Sequence, residues 1–246
     1  LLSVGAGSRP AVAPPSAESC DSRFGGGRDL GGVTVGEVRR LPMFPLGAVL
    51  MPSGFLPLHI FEDRYRQLIL DLMAGDREFG VVLIRRGSEV GGGEQRCDVG
   101  TRARVIEARQ APDGRWSVAA VGLQRIRVQT WLDDDPYPMA EVTPMPDTPG
   151  TPTSRSAFQE LIRTMRRVLA ALSELGEPVA DATFEVADDP ALGALQLAAL
   201  APISVHDRQR LLECDRAPER LALLGHLVNE VREVVDLRLA GQLDDF

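Results

Sequence analysis

Few side chains in this sequence have the type and spacing that chemistry needs. His59, His206 and His226 are scattered along the chain. A metal centre or a histidine base needs ligands or orienting groups that converge in space, and the sequence sets none beside these three. They read as structural or surface groups. Cys20, Cys97 and Cys214 are far apart, which gives neither a metal-binding spacing nor a disulfide framework and suits a reducing compartment. Asp133, Asp134 and Asp135 could gather round a cation, but Pro136 follows them, and such runs are ordinarily solvated turns. The sequence has no GxSxG, HExxH or CxxC, so the usual hydrolase and zinc signatures are missing. The Gly-rich stretch GGGRDLGG lacks the GxGxxG spacing and a preceding strand pattern, and does not read as a nucleotide loop.

One residue type is absent altogether. All 27 basic side chains are arginines. Without lysine there is no Walker A loop, no Schiff base and no Ser-Lys dyad. The net charge of −8 argues against non-specific nucleic-acid binding by the chain as a whole. Residues 36–130 carry 14 arginines against 11 acidic residues, a local excess that keeps an RNA-binding reading open, although no aromatic-interleaved basic stripe accompanies it. No apolar run approaches the roughly 18 residues of a membrane span, and no secretory signal pattern is present. A cytoplasmic location is expected.

Three segments would have to position any site. Residues 1–32 are rich in Gly, Ser, Pro and Ala without periodicity, and read as a disordered tail. Residues 33–147 are β-rich. Within them Tyr65, Leu68, Ile69 and Leu72 fall on one helical face, Phe79–Ile84 reads as a buried strand, and Val105 and Ile106 sit in another. Pro112, Asp113 and Gly114 make a turn. Two further runs, WSVAAV and LQRIRV, are separated by a break or bulge at Gly122, and a last strand is expected around Met139–Val142. Residues 148–246 are helical. Phe158, Leu161, Ile162, Met165, Val168, Leu169 and Leu172 form an apolar stripe. Asp189 before Pro190 and Ser204 before Asp207 are helix starts, and a final helix runs from about Pro218 towards Ala240.

The stretch LPMFPLGAVLMPSGFLPLHIF, residues 41–61, is the least ordinary. It is strongly apolar, yet Pro42, Pro45, Pro52 and Pro57 bar a helix and disfavour a central strand. Its Leu41-Pro42-Met43-Phe44-Pro45-Leu46, Leu50-Met51-Pro52, Pro57-Leu58-His59-Ile60-Phe61-Glu62 and Arg64-Tyr65 resemble the N-terminal substrate-binding domain of the Lon protease family, found also as free-standing LON-domain proteins and within cereblon. Phe79-Gly80-Val81-Val82, Gly100-Thr101 with Ala103, Gly122 ahead of Arg125-Ile126 and Val128, Leu211-Leu212-Glu213, Asp215 and Glu219-Arg220-Leu221 extend the resemblance over about residues 36–240.

The resemblance implies an α+β fold, a PUA-like β pseudo-barrel followed by a small α-helical bundle. The proline-rich run would then supply edge strands and turns at one end of the barrel. The implied role is recognition of unfolded or tagged polypeptides without catalysis or cofactor, as an adaptor in protein quality control or proteolysis with a protease or chaperone as recipient. RNA binding is the alternative. Candidate contact residues are Met43, Phe44, Leu46, Met51, Phe55 and Leu56, on one barrel face and the groove towards the helices. Phe44 is expected in the core and Phe55 nearer the surface, after the Ser53–Gly54 turn. In the full-length protease the corresponding region leads into an ATPase and a Ser-Lys peptidase. This sequence, which ends at Phe246, is expected to carry neither. The purified chain should therefore neither hydrolyse ATP nor degrade an unfolded protein. ATP turnover that survives several columns and vanishes on a point change in this chain would overturn that expectation.

Overall fold

The computed structural model describes residues 37–86 and 95–241. The tail expected over residues 1–32 lies outside them. Six strands are present in this region: β1 (Arg39–Leu46), β2 (Phe55–Ile60), β3 (Glu78–Arg86), β4 (Gln95–Gln110), β5 (Trp116–Trp131) and β6 (Met139–Pro144). Helix α1 (Asp63–Ala74) lies between β2 and β3, and α2 (Arg155–Glu174), α3 (Pro190–Leu200), α4 (Val205–Glu213) and α5 (Ala217–Leu239) follow the strands. Among the described residues no helix is long and apolar enough to cross a membrane.

β5 organises the sheet. One flank pairs with β4, while the other pairs with β2 over Trp116–Val121 and with β6 over Ile126–Trp131. β6 pairs with β1, β1 runs parallel to β3, and β3 pairs with β4. The strands β5, β4, β3, β1 and β6 thus close on themselves as a pseudo-barrel, and β2 is left as an added strand, paired on one side only among the described residues. The ladder between β4 and β5 slips where Arg102 faces Gln124 but Ala103 faces Gly122. Leu123 is the extra residue, so WSVAAV and LQRIRV are one bulged strand.

The proline-rich run departs from expectation in one respect. Pro57 does lie on an edge strand, where a missing N–H is tolerated, and Pro52 lies in a turn. β1, with Pro42 and Pro45, is instead interior to the sheet order. It accommodates its prolines by changing partner midway: Arg39–Pro42 pair with β6, and Met43–Leu46 pair with β3. Each half of β1 uses one flank, so a proline nitrogen turned to the other flank removes no ladder bond.

The apolar side chains form three clusters. Phe44, Leu46, Tyr65, Leu68, Ile69 and Phe79 pack α1 against the barrel, with the Phe44 and Tyr65 rings stacked 4.3 Å apart. Leu41, Met43, Ile126 and Val142 fill the barrel interior. The third cluster joins α2, α3, α4 and α5 and takes in Met51 and Val99 from the strand half. The helix starts follow their sequence signals. Ser154 Oγ accepts from Ala157 N–H, Asp189 accepts from Ala191 and Leu192 N–H, and Ser204 accepts from Asp207 N–H. Gly176, at φ +81°, ends α2 in the left-handed region that suits glycine.

A buried ionic cluster joins strands to helices. Asp147 accepts from Arg125 Nη2 and Arg220 Nη2, each at 2.6 Å. Arg125 Nη1 also donates to the Leu212 and Cys214 carbonyls at 2.8 and 2.6 Å, and Arg220 Nη1 to Cys214 at 3.1 Å. Burial, with Arg220 nearby, pushes the Arg125 pKa down, and Asp147 opposes that shift. Removing one member of such a set strands the others in a low-dielectric site. Asp147→Ala should therefore cost about 3–5 kcal/mol. Denaturant unfolding beside the parent checks this. A loss below about 1 kcal/mol, typical of a solvated pair, would show that the cluster does not hold the halves together.

Candidate functional site

Four of the six candidate contact residues have no surface to offer. Met43 lies in the barrel interior, Phe44 and Leu46 pack under α1, and Met51 is in the helical cluster. All four are buried. Alternation along β1 turns Met43 into the barrel and Phe44 and Leu46 towards α1, and the Met51 side chain finds the helices rather than solvent. Phe55 is different, at 61% exposure. Leu56 is half-buried against the α1-side cluster.

Side-chain alternation along β2 explains Phe55. Leu58 and Ile60 turn inward, so Phe55, Pro57 and His59 turn outward. Their partners on β5 are Val121, Ala119 and Ser117. On β4 the register shifts between Val105, opposite Ala120, and Glu107, opposite Ala119. Ile106 is the extra residue of that bulge and is 53% exposed. The pairing therefore sets Phe55 beside Val121, whose β4 partner is Arg104, and Pro57 beside Ala119, whose β4 partner is Glu107 with Ile106 bulged out next to it. The outer face of an antiparallel sheet is normally polar. An apolar group spanning three strands there is a candidate contact surface.

Phe55 also stands at the rim of a cleft of about 490 Å³ between residues 49–55 and the helices. Val49, Val186, Ala199 and Leu200 are its apolar lining, and Ser53, Glu185, Gln196 and Arg208 its polar lining. The 49–55 segment is held on several sides. Thr101 Oγ1 donates to the Leu50 carbonyl at 2.5 Å. Gly54 N–H donates to Met51, Ser53 N–H to Gly122, and Gly122 N–H to Gly54, at 2.8–2.9 Å. A Cβ on Gly122 would overlap the Met51 carbonyl oxygen, so only glycine permits this approach. On the opposite wall, Gln196 Oε1 accepts from Ala187 N–H at 2.7 Å. Arg208 donates through Nε to the Ala198 carbonyl at 3.2 Å and through Nη2 to the Ala201 carbonyl at 2.9 Å. Those carbonyls lie at the α3 C-terminus, where backbone acceptors lack helical partners. Burial pushes the Arg208 pKa down.

Among the described residues the groups with catalytic potential are not brought together. His59 faces outward on β2, His206 is exposed on α4, and His226 pairs with Glu230 at 3.3 Å on α5. Among the described residues no three His, Cys, Asp or Glu side chains could hold a metal ion. Burial raises the thiol pKa of both Cys97 and Cys214, which disfavours the nucleophilic thiolate. Asp134 pairs with Arg96 at 3.1 Å, and that guanidinium lies 4.6 Å from the Trp131 ring centroid.

Ile106, Val121 and Arg208 were not among the candidates from sequence. Ile106 stands alone between Val105 and Glu107, and only an unannounced bulge exposes it. Arg208 lies in a polar helix start, HDRQRLLE, with no local sign that α3 ends beside it.

The chain matches the family model of the ATP-dependent protease La (LON) substrate-binding domain over residues 40–230. It is 28% identical over 215 residues to Lon protease 2 of Myxococcus xanthus, and 26% identical over 204 residues to Lon protease of Brevibacillus choshinensis. Those matches cover 83% and 81% of this chain but 25% and 26% of the proteases. The chain thus spans about a quarter of the length of these relatives. A Lon N-terminal domain protein from Xanthomonas campestris superposes with a TM-score of 0.56 at 27% identity, over 76% of this chain and 96% of that one. The N-terminal domain of a Mycobacterium avium complex Lon protease shares the fold, with a TM-score of 0.53 at 16% identity, over 78% and 99% of the two chains.

Burial separates the two phenylalanines energetically. Phe44→Ala should cost about 3–5 kcal/mol, as for other emptied aromatic core sites, and Phe55→Ala no more than roughly 0.5 kcal/mol. Thermal unfolding of both variants checks the pair. A Phe55→Ala protein that melts as low as Phe44→Ala would place that ring in the core.

Proposed function

We propose that this chain, which belongs to the family of LON substrate-binding domains, recognises polypeptides without acting on them chemically. Exposed apolar segments of unfolded chains would lie across the outer face of β2, β5 and β4 and enter the cleft beside Phe55. The observation that carries this reading is the outward apolar group of Phe55, Pro57, Val121, Ala119 and Ile106. The open flank of β2 supports it, because extended peptides can add to a sheet edge. An adaptor role, passing the bound polypeptide to a protease or chaperone in the cytoplasm, extends the same reading.

The RNA alternative loses its main support. The local arginine excess is largely engaged by carboxylates. Arg39, Arg102 and Arg104 all bond to the buried Glu78, Arg96 pairs with Asp134, and Arg125 with Asp147. Guanidinium groups held this way make a poor phosphate-tracking stripe.

Fluorescence anisotropy with a labelled, carboxymethylated unfolded protein tests the proposal. Phe55→Asp and Ile106→Asp should each weaken binding by about 2 kcal/mol or more, the loss expected at a recognition hot spot, with the melting temperature nearly unchanged. Binding that ignores both substitutions sinks the proposed face. Tight binding of a single-stranded RNA homopolymer, steeply weakened by salt and indifferent to Phe55, would favour the alternative.

A further inference from the structure

We propose that the cleft beside Phe55 takes the C-terminal end of an apolar polypeptide, with Arg208 holding the terminal carboxylate. The proposal rests on the polypeptide-recognition reading and specifies what that cleft would select. Arg208 lines the cleft, and no carboxylate of the described residues forms an ion pair with it. Its hydrogen bonds go to two neutral carbonyls through Nε and Nη2. They fix the guanidinium in place and leave its charge uncompensated and its Nη1 group without a partner among the described residues. The strand arginines named above each meet Glu or Asp. A cation preset by two hydrogen bonds, in a partly buried site, is suited to a charge-assisted bond with an incoming carboxylate.

The walls decide which carboxylate fits. Val49, Val186, Ala199 and Leu200 set apolar surface in the same cleft as the charged group. An internal Asp or Glu would carry peptide groups in on both sides, and unpaired peptide groups are costly against such walls. A chain end brings its carboxylate, one apolar terminal side chain and a single peptide flank. Capture of a terminal carboxylate is an established mode of peptide recognition. Glu185, an exposed carboxylate lining the same cleft, would repel acidic residues upstream of that end and sharpen the preference for apolar tails.

The test uses the full chain and three forms of one fluorescein-labelled peptide ending in Ser-Ala-Phe-Leu. One has a free carboxylate, one a C-terminal amide, and one is extended beyond the leucine by Gly-Ser-Gly. The free acid should bind at least about tenfold more tightly than the amide or the extended form, the ratio expected for one charge-assisted hydrogen bond. Arg208→Gln should erase the difference between acid and amide, and Arg208→Lys should keep part of it. Glu185→Gln should tighten binding of the same peptide with an aspartate placed upstream. The comparison of acid with amide on the unmodified chain needs no variant, so destabilisation by Arg208→Gln cannot obscure it. Equal binding of all three peptides overturns the carboxylate inference and leaves polypeptide recognition standing. Failure of all three to bind, alongside failure of the unfolded-protein probe, overturns both.

Discussion

Two buried guanidinium groups sharing the carboxylate of Asp147 are the constraint on which the rest of this structure depends. Arg125 comes from β5, Asp147 from the segment after β6, and Arg220 from α5. One carboxylate cannot neutralise two cations. The remaining positive charge is met by the carbonyls of Leu212 and Cys214, which lie where α4 ends and would otherwise lack partners. The negative end of that helix thus completes the cluster. Once Arg125 is placed by the barrel, the corner between α4 and α5 has little freedom. The α4 residue Gln209 adds a bond to the Val99 carbonyl of β4 at 3.0 Å. The wall of the cleft formed by α3 and Arg208 is thereby carried on the barrel rather than left to drift.

An all-arginine chain has a structural counterpart here. The planar fork of arginine can hold a carboxylate and backbone carbonyls together, which a lysine ammonium does less well. Arg125 uses its fork on the end of α4, and Arg208 uses its own on the end of α3. The two are chemically alike as helix caps and differ in what else they touch. Arg125 has Asp147; among the described residues Arg208 has only carbonyls and the cleft. That difference, rather than arginine content, separates a fastening residue from one with charge to spare.

Much of the fold is legible in the sequence because its signals are local. The α2 stripe, the Asp189 and Ser204 caps and the turn at Gly114 each depend on residues within a few positions, and the structure follows them. The bulge near Gly122 was legible too, since a glycine between two alternating runs has few other uses. The place of β1 was not. Whether its prolines sit at an edge or in the interior depends on pairing with Gly80–Leu83 and Met139–Val142, which no local pattern encodes. The candidate site was half legible for the same reason. The Ser53–Gly54 turn marks Phe55 as the residue nearer the surface, and the structure exposes it. The burial of Met43 and Met51 depends instead on what arrives from β3, β5 and the helices.

The 49–55 segment joins these levels. Its Met51 side chain is in the helical cluster, its Leu50 carbonyl is tied to β4 through Thr101, and its Ser53 and Gly54 backbone groups are bonded to Gly122 on β5. Phe55, the next residue, nevertheless projects outward. A ring on a floppy loop would lose conformational freedom on capturing a ligand, and that loss would subtract from affinity. Here the backbone beneath the ring is already fixed by β4, β5 and the helical core. Only the Phe55 side chain remains to be ordered. The Pro57 nitrogen bears no N–H, so the β2 edge offers an incoming strand an interrupted row of donors. Side-chain contact with Phe55 and Ile106, more than a continuous backbone ladder, must then supply discrimination. If this face receives polypeptides as proposed, a surface built this way would favour apolar segments over polar ones while tolerating variation in their sequence.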